Sequence, residues 1–426
     1  MNPSPSTQPL PRRRRNASRP QPRRAMLAGA LLSGLLLASG CAGPGRHAEA
    51  PAPVLAAPGY RAAAVAVSHW QGSWLIAGVQ VPVVLSAPAS GPRGPLLVYL
   101  PGLGEAADAG ERWRNRWAAA GYTVLSAQLL ASDALAWQSE LARAGEFKAL
   151  ARERHASGEM QRRLDLLLAL LAQARNRGQA GEALLQAATA QPLVLAGLDL
   201  GAYTAMAAAG EQLPAVHQPD LAAAGWTLKA VLAISPQAQA GAAATRYAAV
   251  QVPVLSITST ADHDLLGLVD SPARRAQPFQ QMQSGQRLLL TLDGLPHAAL
   301  AGAANALPLP RADAGSPRAG GGEGSGKGGR GGAGGGGGGD GGGGGHGQGG
   351  QRGSKAMADG AAGAGADAGP GSTALSEAGA QARLDGARVV SVAFLDAHAR
   401  GNVQALSWLT QDAAGWLAPV GRLRAP

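Results

Sequence analysis

Residues 192–198 read PLVLAGL, and Gly197-Leu198-Asp199-Leu200-Gly201 leads from that run directly into AYTAMAAAG. An apolar run of this length bounded by turn residues predicts a strand buried on both faces. A strand that turns sharply into a helix needs glycine where side chains would collide. The pattern G-x-nucleophile-x-G has that form. Its central side chain, Asp199, stands at a helix N-terminus, where the partial positive charge favours an anion. A lone G-x-D-x-G match says little; its place after PLVLA gives it weight.

Working outward from this turn, short apolar runs recur. Pro95–Leu100 and Tyr122–Gln128 precede it; Leu228–Ser235, Val252–Thr258 and Arg287–Leu292 follow. Helical segments alternate with them. Glu111–Ala120 is closed by Gly121, and Met160, Leu164, Leu167, Leu168 and Leu171 recur at helical spacing. Upstream, Val65–Trp74 and Ile76–Ser86 read as an antiparallel pair with a break at Gln71-Gly72. Downstream, Val392, Leu395, Ala399, Val403, Leu406 and Leu409 predict one face of a long last helix. Strands alternating with helices predict an α/β fold, with a mainly parallel central sheet and helices on both faces. About sixteen residues separate Ser235 from Val252, which leaves no room there for a large cap domain.

Two further pieces follow strands in a telling order. Ser259-Thr260-Ala261-Asp262 comes after one, and Leu295-Pro296-His297 after the last. Pro101-Gly102-Leu103-Gly104 follows an earlier strand. With the Asp199 turn, and with PLLVYLPGLGE, AGYTVLSAQ, GAYTAM, VLAISPQ, VPVLSITSTAD, LPHAAL and VVSVAFLDAHARGNVQALSWL, the chain resembles the α/β-hydrolase superfamily. It lies near the dienelactone-hydrolase and platelet-activating-factor-acetylhydrolase-like esterases. The matching pieces span about residues 65–415. The resemblance implies the order nucleophile, acid, histidine, with Asp199 at the nucleophile position, Asp262 as acid and His297 as base. It also implies an oxyanion hole made by the backbone N–H groups of Leu103 and Leu200. Asp264 is a second candidate for the acid.

The sequence departs from that family at the decisive place, because Asp199 stands where its members carry serine. Leu198 and Pro101 also replace residues that are often histidine. A serine esterase passes a hydroxyl proton to histidine and forms an acyl-enzyme. A carboxylate attacking an ester would form an anhydride instead. Three functions therefore stay open: an esterase-like hydrolase of small molecules, a non-catalytic pseudo-hydrolase that binds one, and an aspartate-nucleophile hydrolase resembling haloalkane dehalogenases and epoxide hydrolases. Those last families carry Trp after the nucleophile, where this chain has Leu200, and a helical cap. An aspartate at 199 is also expected to pair with His297 and hold it as imidazolium.

Composition bounds the remaining possibilities. The chain has 426 residues, 46% of them hydrophobic and 4% aromatic, with a formal charge of +10. Arg12, Arg13, Arg14, Arg15, Arg19, Arg23 and Arg24 supply seven of those charges and lie in a leader. That distribution argues for targeting and against a nucleic-acid partner. Met26–Ser39 is apolar but short of the roughly 20 residues of a membrane span. Leu37-Ala38-Ser39-Gly40-Cys41 resembles a bacterial lipobox, so residues 1–40 read as a lipoprotein signal peptide, with Arg23-Arg24 fitting twin-arginine export. The chain is then expected to be exported and held on the cell envelope through lipid on Cys41, its only cysteine. Residues 41–60 read as an Ala/Pro/Gly tether, 61–308 as the main part of the hydrolase domain, 309–375 as a disordered Gly-rich insertion, and 376–426 as a C-terminal helix completing the domain. No cofactor is expected: Gly102–Ala107 fits a dinucleotide fingerprint, but the helix starts too late and Gln128 stands where an acid would bind ribose. No metal is expected either, since Asp262, His263 and Asp264 have no further ligand cluster. Trp113 and Trp117 read as core; His155 and His398 read as solvated helix residues.

Overall fold

Burial on both faces accounts for the unbroken apolar runs. Leu96–Leu100 (β3), Thr123–Ala127 (β4) and Leu193–Leu198 (β5) are buried at every position. They belong to a computed structural model that describes residues 54–55, 59–91, 94–237, 244–263, 266–269, 271–283, 285–301 and 375–426. Cys41, Asp264, the leader and the glycine-rich stretch lie outside the described residues. The other strands are Val67–Ile76 (β1), Val79–Pro88 (β2), Leu228–Ile234 (β6), Val254–Ala261 (β7), Arg287–Pro296 (β8) and Gly421–Arg424 (β9). They form one sheet in the order β1-β2-β4-β3-β5-β6-β7-β8-β9. From β4 to β8 neighbouring strands run parallel; β1, β2 and β9 join antiparallel at the two ends. This is the α/β-hydrolase arrangement.

Helices fill the crossovers. They are α1 (Glu111–Ala119), the short α2 (Ala131–Ala134), α3 (Glu140–Arg143) and α4 (Phe147–Arg154), then α5 (Ser157–Gln179) and α6 (Leu200–Ala208). After them come α7 (Gln277–Gln281), α8 (His297–Leu300), α9 (Glu377–Ala399), α10 (Val403–Gln411) and α11 (Ala413–Leu417). Strand alternation sorts side chains to two cores. Leu96, Val98 and Leu100 pack with α5 and α6 on one face, whereas Leu97 and Tyr99 pack with α1 and α9 on the other. Trp113 and Trp117 are fully buried there, and the Trp117 indole donates to Ser391 Oγ at 2.9 Å. Among the described residues no helix is long and apolar enough to cross a membrane.

Three local expectations change. The first hairpin does not break at Gln71-Gly72: those residues pair with Val84 and Val83, and the turn falls at Ala77-Gly78. Gly72 sits within the strand because the Trp70 ring lies over it, 2.6 Å from where a Cβ would stand. The last helix is also not continuous. Gly401 (φ +69°) ends α9, and Asn402 starts α10 by accepting from the Ala405 N–H at 3.0 Å. Finally, GRLR at 421–424 becomes the edge strand β9, an element without an apolar run to announce it.

Candidate active site

The sequence builds the turn at Asp199 by steric necessity. A Cβ on Gly197 would fall 2.2 Å from the Gly201 carbonyl carbon, and one on Gly201 would fall 1.9 Å from the Leu100 oxygen. Asp199 itself takes φ +48° and ψ −109°, a conformation that costs a non-glycine residue about 1–3 kcal/mol. Its N–H donates across to Ile234 O on β6 at 2.9 Å, while its carbonyl accepts the first bond of α6 from Tyr203. The side chain is held at the C-terminal edge of the sheet and is nearly buried.

Asp262, just past β7, and His297, at the end of β8, meet there. Asp262 is fully buried, and His297 Nδ1 donates to its Oδ1 at 2.7 Å. The same carboxylate accepts from Ser235 Oγ at 2.9 Å and from Thr258 Oγ1 at 2.8 Å. Burial pushes the Asp262 carboxyl up, but the His297 hydrogen bond and the Arg275 charge outweigh it and hold the group below its ordinary value. Burial pushes His297 down, yet the Asp262 bond and the charges of Asp199 and Asp262 lift it above its ordinary value. The ring keeps about a fifth of its surface exposed, and among the described residues its Nε2 has no partner. Leu103 follows β3 and Leu200 opens α6; among the described residues neither backbone N–H has an acceptor.

The expected Asp199–His297 ion pair is not formed. Asp199 Oδ1 instead accepts from Gln237 Nε2 at 2.7 Å and lies 3.8 Å from Arg275 Nη1. Arg275 is fully buried and reaches both carboxylates, with its Nε 3.2 Å from Asp262 Oδ1. Its Nη1 also donates to the Ser235 carbonyl at 2.9 Å. A nearby guanidinium offers the aspartate a fixed positive charge, and His297 is left with Asp262. Asp199 Oδ2 has no partner among the described residues.

Sequence reasoning missed four residues here. Ser235 and Gln237 follow β6 in the stretch SPQ, and Ser235 also takes a positive φ, +52°. Arg275 sits in an Arg-Arg pair that reads as surface, so nothing in the sequence marks it. Glu105 follows Gly104 on the loop after β3. Its Oε2 accepts from the Gly102 N–H at 2.8 Å, and burial pushes its carboxyl up to about 7.

A cover that the sequence does not announce lies over the loop of Leu103 and Gly104. It comes after β4, as α2, α3 and α4, rather than after β6. The Trp137 indole lies over Gly104, 1.9 Å from where a Cβ would stand, and the Lys148 stem packs on Gly267. A cleft of about 470 Å³ runs between this cover and the loop beyond Asp262, lined by Gly145, Phe147, Lys148, Arg152, Leu266 and Gly267. His155, at the end of α4, is buried rather than solvated: its Nδ1 lies 2.9 Å from Ala151 O and its ring stacks on Tyr203. His398 is half-buried against the Phe394 ring.

No family model matches the chain, and no curated protein does. Among solved structures, the chain is similar to the dienelactone hydrolase from Anabaena variabilis ATCC 29413. The two are 17% identical over 54% of this chain and 88% of that one, with a TM-score of 0.36. The fold assignment stands on the strand order and the turn geometry above: this is a hydrolase-fold protein.

Proposed function

We propose that the protein is a hydrolase whose nucleophile is the Asp199 carboxylate, acting on a small molecule at a saturated carbon. The observation behind this reading is the division of labour between the two carboxylate oxygens. Gln237 fixes Oδ1 at 2.7 Å, with Arg275 nearby, while Oδ2 is unpartnered among the described residues. An acyl substrate would leave an anhydride; a saturated carbon leaves an ordinary ester. His297, oriented by Asp262, would then take a proton from the water that hydrolyses this ester. The oxyanion would develop on Oδ1 beside Gln237 and Arg275. Leu103 and Leu200 would offer their backbone N–H groups to the leaving group.

The electrostatics favour this sequence of events. The Asp199 charge is one of the influences that raise His297. Esterification removes that charge and lowers the imidazolium pKa, so more of the ring is neutral and free to take a proton at the step that needs it.

A single turnover in ¹⁸O-labelled water tests the proposal. We expect label in the Asp199 side chain, and a covalent adduct on Asp199 in His297→Gln. Label in the product alone, or p-nitrophenyl ester turnover that survives Asp199→Asn, would overturn it. One observation favours a second reading, a binding protein without turnover: Arg275 already offsets both carboxylates at rest. That reading expects wild type to bind ligand and form no adduct. For the whole chain we propose export and lipid anchoring at Cys41, supported by the leader, the lipobox and the tether.

A further inference from the structure

The sheet ends in two edges, and the chain treats them differently. An open edge presents a row of backbone N–H and C=O groups that a further strand can pair with, and folds blunt it with short strands, charges, proline or bulges. β9 follows that rule: it has four residues, and two of them are Arg422 and Arg424. β1 follows none of it. It runs for ten residues, VSHWQGSWLI, without proline and without Lys, Arg, Asp or Glu. Its register with β2 advances residue for residue from Val67 to Ile76, so no bulge turns the edge away. Among the described residues β1 pairs with β2 and with no other strand.

The surroundings are as neutral as the strand. Residues 62–92 hold no Lys, Arg, Asp or Glu, the longest such stretch in a chain that is 15% charged. Burial accounts for this in residues 83–88 of β2, which are buried throughout. It does not account for β1, where His69, Trp70, Gln71, Ser73 and Leu75 are exposed. Among the described residues eight large hydrophobic side chains stay exposed, and four of them belong here: Val65, Trp70, Leu75 and Val79, with Leu75 60% exposed. Uncharged surface that carries aromatic and aliphatic side chains has the composition of an interface core rather than of a solvated edge.

We propose that β1 is a self-association edge: two copies of the chain join β1 to β1 antiparallel about a two-fold axis, and their sheets become one. Three features select a second copy. A two-fold axis sets an edge strand antiparallel to its own copy, a pairing that satisfies the outward backbone groups of both. Residues near the axis face themselves, so a charge there would meet its like. Neutrality is the complement that such a contact demands. A lipid surface would accept the apolar side chains but leave the outward N–H and C=O groups without partners, whereas a second β1 pairs them. β2, β4 and β3 separate this edge from β5, so the contact is remote from the chemistry at Asp199.

Analytical ultracentrifugation of the full chain with Cys41→Ala, which can take no lipid there, tests the proposal. We expect a species of twice the 42.6 kDa chain mass that dissociates on dilution. Gln71→Lys with Ser73→Lys sets like charges across the axis and should weaken association at least about tenfold. Both side chains are exposed, so the fold should persist, as circular dichroism would verify. Arg422→Glu, on the other edge, should leave the dimer as tight as before. Hydrogen–deuterium exchange on the chain without the lysines keeps the test decisive if they prevent folding: β1 amides should exchange more slowly as concentration rises, and β9 amides should not. A monomer at every concentration, a dimer that the two lysines leave equally tight, or β1 exchange that ignores concentration would overturn the proposal. A monomer that binds vesicles of phosphatidylethanolamine and phosphatidylglycerol, and loses them with Trp70→Ser and Leu75→Ser, would overturn it in favour of a lipid surface.

Discussion

Asp262 and His297 carry opposite shifts, and the pair therefore has its own pH window. Asp262 is held below its ordinary 3.8, so its stabilisation is present above that value and lost as pH falls through the folded one. His297 is raised above its ordinary 6.5, so its stabilisation is present below 6.5 and lost as pH rises through the folded value. Both contributions are in place between about pH 4 and 6.5. Urea denaturation should show His297→Gln losing more stability relative to wild type at pH 6 than at pH 9; equal losses would contradict the shift. Arg275 is the second residue whose removal should be felt. Arg275→Met leaves Asp199 without a cation and Asp262 with His297 alone, and we expect a loss of about 3–5 kcal/mol at pH 7. Adding Asp199→Asn should recover part of it. Glu105 runs the other way. Its carboxyl is raised, so ionisation weakens the fold as pH climbs from 4.5 towards about 7. Glu105→Gln should raise the melting temperature at pH 8 and leave it nearly unchanged at pH 4.

At the scale of elements, the turn between β5 and α6 is the least forgiving. Gly201→Ala drives a Cβ into the backbone of Leu100, which has no flexible end to give way. We expect it to exceed the roughly 0.5–3 kcal/mol of an ordinary substitution, read by chemical denaturation. The break between α9 and α10 is milder. Gly401 has no neighbour near a Cβ, only a positive φ, so Gly401→Ala should cost about 1–2 kcal/mol. A gain in stability there would mean that the two helices tolerate fusion.

For the whole molecule, the described chain stops at Ala301 and resumes at Leu375, and both ends belong to one corner. Leu300 O accepts from the Trp113 indole at 2.8 Å, and Arg383, on α9, donates to Asp293 O beside β8. The connection between them therefore need not be long. Replacing residues 312–372 with a short Gly-Ser linker should leave the melting temperature within a few degrees, since loop closure changes by only about 0.6 kcal/mol per doubling of length. A large drop would show that the stretch packs on the domain. Labelled palmitate fed to the native host should appear on the protein and vanish in Cys41→Ala; an unlabelled wild type would end the lipoprotein reading.

The sequence by itself determined the sheet, because strands buried on both faces must be apolar throughout and β3, β4 and β5 read that way. It also determined the turn at Asp199, since only glycine fits at 197 and 201. Asp262 and His297 were legible from their places after strands. The partner of Asp199 was not legible. Gln237 and Arg275 lie 38 and 76 positions further along the chain, and only the pairing of β6 with β5 and the packing of residues 272–276 against β7 bring them to the carboxylate. The cover was hidden for a related reason: α2, α3 and α4 are too short for a helical period to declare itself. The strand β9 has no apolar run, because as a short edge strand it borrows its order from β8. Local sequence sets which residues are buried. Which charges meet once they are buried is decided by long-range packing, and at this site that decision separates an aspartate paired with its histidine from one held by an arginine.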